Sequence, residues 1–223
     1  MHFKVNIFVG GLGTSRNYFE PFIQRHGPAD TNIVYCVTNK SLDEQASKVH
    51  SLVQKYTESP EFYRVRIYAF SLGCMIVMKL LEREDCNEVV GVCFVNPCNI
   101  ELDYKTRRYE KWYRVLWALP LWMKELYLFW YERFVRTSLE EPRGLMRGLL
   151  SRPFKYWCDI VEKVCQTSSW VRLIKKSVYR RRITIIGGDR DRYIKFSELL
   201  ANHYSNHFHL KIVEGQHHIM QTL

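Results

Sequence analysis

No two cysteines of this 223-residue chain form a C-x-x-C pair, and the seven present (36, 74, 86, 93, 98, 158 and 165) are an odd number. That spacing argues against a structural zinc site, and a chain of this size can manage without disulfide staples. Cys36, Cys74 and Cys93 sit inside apolar segments, where a free cysteine behaves as a small hydrophobe. Long apolar runs are missing as well. In the most aromatic segment, residues 112–131, the longest charge-free run is the nine residues from Val115 to Met123, interrupted by Pro120. A membrane-spanning helix needs about 20 apolar residues, so this segment is not one. The start, "MHFKVNIFVGGLG", has neither the longer apolar stretch nor the cleavage site of a secretory signal. A reducing, cytoplasmic setting is expected, and the sequon Asn39-Lys40-Ser41 then carries no weight.

Nothing in the chain is low-complexity or repeated, and 47% apolar residues mark an ordered globular protein. Acidic residues are the scarce sign of charge: 33 Lys and Arg against 23 Asp and Glu leave +10. Such a balance favours anionic surroundings. The cations are scattered, however, and the tightest groups are Lys175-Lys176 and Arg180-Arg181-Arg182. They read as a solvated surface. No base-reading motif appears, and aromatics are not interleaved with basic residues on the expected strands, which argues against nucleic acid. His203 and His207 stand four apart with His209 nearby, but no H-E-x-x-H pattern or spaced acidic ligand accompanies them. They read as surface histidines, and neither metal nor cofactor is expected.

What is present alternates. Strand-length apolar runs at 4–9, 32–37, 63–70, 88–95, 182–187 and 208–213 are separated by helical patterns. Helices are expected near 15–25, after a Ser41/Glu44 capping box, over 72–85 and near 195–205. Strands apolar on both faces, with helices between them, predict an α/β fold: a mostly parallel six-stranded sheet flanked by helices. The interval from about Asn96 to Arg180 breaks this rhythm with aromatic helical patterns, in which Leu116, Leu119, Met123, Leu126 and Trp130 lie at helical spacing. It reads as an inserted helical cap. The expected organisation is core at 1–98, cap at 99–180 and core again at 181–223.

Three stretches fall at strand C-termini, where ligands of parallel sheets gather. In "IYAFSLGC", Ser71 stands between strand and helix with Ala69 two before and Gly73 two after. A sharp strand-to-helix turn brings those two flanking residues together, so both must be small, and it projects the serine hydroxyl outward. The N–H groups opening the helix, Leu72 among them, then point beside the serine oxygen. Gly188-Asp189-Arg190-Asp191 follows the fifth run and offers a carboxylate at either position. "VEGQHHIM" follows the sixth and offers His217 or His218. A hydroxyl becomes a good nucleophile when an imidazole takes its proton, and a carboxylate fixes that imidazole's tautomer.

On these residues the chain resembles the α/β-hydrolase fold superfamily, in particular its small cap-bearing esterase and lipase-like members, from Lys4 to His218. Ala69-Phe70-Ser71-Leu72-Gly73 matches that family's G-x-S-x-G elbow with one methyl added at the first glycine. The resemblance assigns Asp191 as the acid, three residues after Gly188, with Asp189 as fallback, and Glu101 or Asp103 as further carboxylates. It assigns His218, closing a G-x-x-H stretch, as the base, with His217 as fallback. Gly10-Gly11-Leu12 stands where the family often has H-G-x, which makes the Leu12 N–H a second oxyanion donor beside that of Leu72. With glycine in place of that histidine, the loop is expected to be less braced. The family's first two antiparallel strands are not found, and five residues follow His218. The resemblance thus implies a minimal version, with a sheet edge that a second copy would cover.

Trp112, Trp117, Trp122 and Trp130 are expected mainly to pack the cap onto the sheet, with some lining a hydrophobic pocket. The expected activity is hydrolysis of a carboxylic ester or thioester with a hydrophobic acyl or aromatic group, through an acyl-enzyme. Transfer of the acyl group to another alcohol would use the same residues. The alternative is a catalytically retired scaffold or interaction protein on the same fold. Arg107, Arg108, Arg114 and Lys124 beside the aromatic segment also raise peripheral contact with a membrane.

Overall fold

Six apolar runs, rich in the β-branched and aromatic residues that suit a buried pleated surface, form one sheet. The computed structural model describes residues 4–11, 14, 16–26, 31–38, 40–58, 64–82, 89–97, 114–135, 147, 150, 183–189 and 209–214. The strands are β1 (Lys4–Val9), β2 (Thr31–Tyr35), β3 (Arg64–Phe70), β4 (Val89–Val95), β5 (Ile183–Gly188) and β6 (His209–Val213). They lie in the order β2-β1-β3-β4-β5-β6. Every neighbouring pair is parallel, as the two-sided apolar runs predict.

The period of two along each strand sorts its side chains into two cores. Val5, Ile7 and Val9 of β1, Val65, Ile67 and Ala69 of β3, and Ile183 and Ile185 of β5 enter one core. Helices α2 (Leu42–Thr57) and α3 (Leu72–Leu81) supply the rest of it. The alternate residues Phe8, Tyr68 and Phe70 enter the other core, where Phe19 and Phe22 of α1 (Arg16–His26) meet them. This second core is built of rings. Phe8 stacks on Tyr68 at 5.1 Å between centroids, and Phe19 meets Phe70 edge-on at 4.8 Å. A register shift between Val65 and Arg66 lets β4 keep Val92 and Phe94 on the first side.

The expected capping box is present: the Ser41 N–H donates to Glu44 Oε2 at 3.0 Å, and the Glu44 N–H to Ser41 Oγ at 3.3 Å. The Ser41 N–H and then the Ser41 hydroxyl, both donating to Glu44 Oε2, hold the Glu44 carboxyl below its usual range. Two expectations need correction at β2, which ends at Tyr35 rather than at residue 37. The fully buried Gln45 of α2 accepts from the Thr38 N–H and donates to the Lys40 carbonyl, drawing the chain into a loop. Cys36 therefore lies beyond the strand and is exposed, whereas Cys74 and Cys93 are buried. Burial pushes the Cys93 thiol up to about 12 and keeps it protonated.

Between β4 and β5 the described segments are helical: 114–118, α4 (Leu121–Trp130) and a π-helical turn (Tyr131–Val135). Leu116, Leu128, Tyr131 and Leu150 form a third cluster, with Trp117 and Tyr127 packed against it. Leu126 and Trp130, placed by spacing on one stripe with Leu116, are instead exposed, as is Trp122. Pro120 interrupts the helix, so the helical phase does not carry across it. No helix among the described residues is long and apolar enough to cross a membrane. The expected helix near 195–205 lies outside the described residues. Phe8 is fully buried at the centre of the ring core, and Phe8→Ala is expected to cost about 3–5 kcal/mol in urea unfolding.

Candidate active site

At the C-terminal rim of the sheet, the first residue past each of four strands continues the hydrogen-bond ladder to a neighbouring strand. The Gly10 N–H donates to the Tyr35 carbonyl at 2.9 Å, and that of Ser71 to Val95 at 3.0 Å. The Asn96 N–H donates to Ile186 at 2.8 Å, and that of Asp189 to Val213 at 3.3 Å. Four chain exits are thereby held in line along one edge.

Ser71 occupies a single-residue turn from β3 into α3 with φ 47° and ψ −114°. Left-handed backbone at a non-glycine residue costs about 1–3 kcal/mol and persists only where its surroundings over-determine it. Here they do. Its N–H is held by Val95, and its carbonyl accepts from the Cys74 N–H at 3.0 Å, beginning the helix. The Cys74 thiol donates to the Ala69 carbonyl at 3.1 Å, closing the turn from behind. Gly73 lies so close to β1 that a Cβ there would overlap the carbonyl oxygens of Val9 and Gly10. The smallness expected at this position is thus required by the neighbouring strand.

The Gly10-Gly11 loop stands directly against the serine. A Cβ at Gly11 would lie 3.1 Å from Ser71 Cβ and 3.7 Å from its Oγ. One at Gly10 would overlap the Thr14 hydroxyl. Thr14 grips this loop twice, with Oγ1 donating to the Gly11 carbonyl at 2.8 Å and N–H donating to it at 3.3 Å. The loop expected to be poorly braced for want of a histidine is therefore braced by a threonine, which sequence reasoning missed.

Asn96 was missed as well. It is buried, adopts φ 45°, and accepts the Gly188 N–H at its Oδ1 over 3.2 Å. Side chain and backbone together staple the end of β4 to the end of β5, from which the acidic turn departs. An asparagine directly after a buried apolar strand was the available signal, since it tolerates left-handed backbone better than most residues.

Of the expected site residues, the structure brings Ser71 and Leu72 together with Gly11. As first residue of α3, Leu72 belongs to the N–H groups that helix geometry leaves without an intrahelical acceptor. Asp189 lies exposed on the same rim, two strands from Ser71, or about 10 Å by strand spacing. Leu12, Asp191, His217 and His218 lie outside the described residues, as do Glu101 and Asp103. Among the described residues, no three His, Cys, Asp or Glu side chains gather as metal ligands.

Neither family models nor curated protein sequences give a match to this chain. Solved structures do. A bromoperoxidase from Bacillus anthracis is similar at TM-score 0.67 and 17% identity, over 96% of this chain and 85% of that one. A putative aryl esterase from Burkholderia cenocepacia is similar at 0.62 and 16%, over 97% and 83%. An esterase from Exiguobacterium antarcticum is similar at 0.57 and 14%, over 97% and 85%. At these identities the likeness is one of fold.

Two variants test the turn. Ser71→Gly is expected to exceed Ser71→Ala in stability by about 1–3 kcal/mol in denaturant titration, because only glycine relieves the backbone at φ 47°. Asn96→Ala is expected to cost about 1–3 kcal/mol on the same scale, through the unpaired Gly188 N–H.

Proposed function

We propose that this chain, which has the α/β-hydrolase fold, is a serine hydrolase that cleaves a carboxylic ester or thioester through an acyl-enzyme. The observation that carries the reading is Ser71 itself: a serine at φ 47° on a strand-to-helix turn, with a side-chain-free glycine packed against it. Scaffold packing alone gives no reason to keep a strained serine where glycine fits without cost. The esterases among the structural neighbours support the same reading.

In this reading Ser71 Oγ attacks the ester carbonyl while His218 takes its proton. Asp191 holds the imidazole in the required tautomer, with Asp189 and His217 as fallbacks in those two roles. The tetrahedral oxyanion is met by the N–H groups of Leu72 and Leu12. Thr14 supports this role by holding the Gly11 carbonyl, which steadies the loop leading to the second donor. The roughly 10 Å separating the β5 exit from Ser71 suits an acid that contacts the histidine rather than the serine. His218 then protonates the departing alcohol or thiol, and water repeats the cycle on the acyl-enzyme. The substrate is a hydrophobic small-molecule ester, and the setting is cytoplasmic.

A fluorophosphonate probe is expected to label the wild-type chain stoichiometrically and to fail on Ser71→Ala and His218→Gln. Asp191→Asn is expected to label at least about 100-fold more slowly, as loss of the tautomer-fixing acid requires. A folded wild-type chain that takes no label would instead be a catalytically retired scaffold. Fast labelling of the Asp191 variant would move the acid to Asp189.

A further inference from the structure

We propose that the outward face of α4 and the π-helical turn is a docking surface for an anionic membrane. Nine large apolar residues are exposed among the described residues, and seven of them lie between Val115 and Phe134. Trp122, Leu126, Phe129 and Trp130 stand at i, i+4, i+7 and i+8, which places them on one stripe of α4. Their exposure runs from 50% at Trp130 to 67% at Trp122. Leu128 and Tyr131 point the other way, into the cluster with Leu116 and Leu150. This helix is therefore apolar on both sides, while only one side is covered by the described residues. A solvated helix keeps its outer side polar; an outer side of two tryptophans, a leucine and a phenylalanine is built to leave water.

Charge selects the occupant. The chain carries +10, so a second copy laid on this face would bring like charge against like. An anionic bilayer meets the same charge favourably. The described segment from 114 to 135, with Arg147 paired to it, holds four cations, Arg114, Lys124, Arg133 and Arg147, against Glu125 and Glu132. Arg133 is exposed three residues after Trp130, and Lys124 lies toward the covered side. Glu125 is already neutralised by a two-pronged ion pair with Arg147, at 2.8 and 3.2 Å. The ten residues from Lys105 to Arg114, leading into this segment, add five cations and one carboxylate, counting Arg114. Tryptophan side chains flanked by cations suit the headgroup layer, where a ring is half dry and a guanidinium meets phosphate. The surface is independent of Ser71: it would hold the protein at a bilayer whether or not the serine is acylated.

The full-length protein is sedimented with vesicles of phosphatidylcholine alone and with vesicles containing about one-third phosphatidylserine. Binding is expected to the anionic vesicles, to weaken with added salt, and to fall at least about tenfold in a Trp122→Ser, Phe129→Ser, Trp130→Ser variant. Serine leaves the charge unchanged, so that loss reports the apolar stripe. Ser71→Ala is expected to bind like wild type, which separates this surface from the fate of the hydrolase reading. Equal binding by the triple variant, or no binding by wild type, overturns the proposal. So does a wild-type dimer that the triple variant disperses, since it would assign the stripe to a second copy. If the triple variant unfolds, quenching of wild-type tryptophan fluorescence by acyl-chain-brominated lipid decides: quenching on the anionic vesicles supports the proposal, and its absence overturns it.

Discussion

Between β3 and α3 the chain changes from extended to helical across one residue, and that residue is a serine held with left-handed backbone. The rest of the rim is arranged around this constraint. Ala69 and Gly73 leave room for the turn, the Val95 carbonyl anchors its N–H from the next strand, and Gly11 brings no side chain against it. The strain is sustained because β3 sits between β1 and β4, with buried side chains on both faces of its C-terminal half. An edge strand could not impose it. The same logic applies at Asn96, where a second non-glycine residue with φ 45° follows the adjacent strand and ties the exit of β5 to that of β4. Two neighbouring strands thus end in left-handed residues, and both hold the positions from which chemistry would be done.

The molecule distributes its aromatic residues in two different ways. In the ring core beneath α1, Phe8, Phe19, Phe22, Tyr68 and Phe70 contact one another and leave water almost entirely. On α4 and the π-helical turn after it, the tryptophans face outward and the inward side is made by Leu128 and Tyr131. Burial accounts for the first group. The second has no counterpart in folding energetics, since exposed tryptophans contribute little to stability and add a solubility cost. An apolar surface of that kind on a chain of +10 is what the membrane-docking proposal rests on.

Most of the architecture was legible because its signals are local and strong. Strands apolar on both faces specify a parallel sheet, and all six runs form strands close to the expected positions. Ser41 and Glu44 specify a helix start because their reciprocal bonds need only a three-residue spacing. The errors came where one element acts on another. β2 stops early because Gln45, from the next helix, takes hold of the following loop, and this exposes Cys36. Leu126 and Trp130 appeared to share a stripe with Leu116, but Pro120 lies between them and resets the phase.

At the site the division is similar. Small residues two before and two after Ser71 are a sequence property, and so is the succession of acidic and histidine-bearing turns after later strands. The anchoring of the left-handed Ser71 by Val95, the approach of Gly11 to its side chain and the staple made by Asn96 join segments tens of residues apart, whereas the grip of Thr14 on Gly11 spans only three residues. Periodicity and turn chemistry are read along the chain and need only near neighbours, so the sequence by itself determined the order and kind of elements. Which carbonyl meets which donor across the rim depends on strand order and register. Tertiary structure alone decided that, because hydrogen bonds and close contacts form between atoms that the sequence leaves far apart.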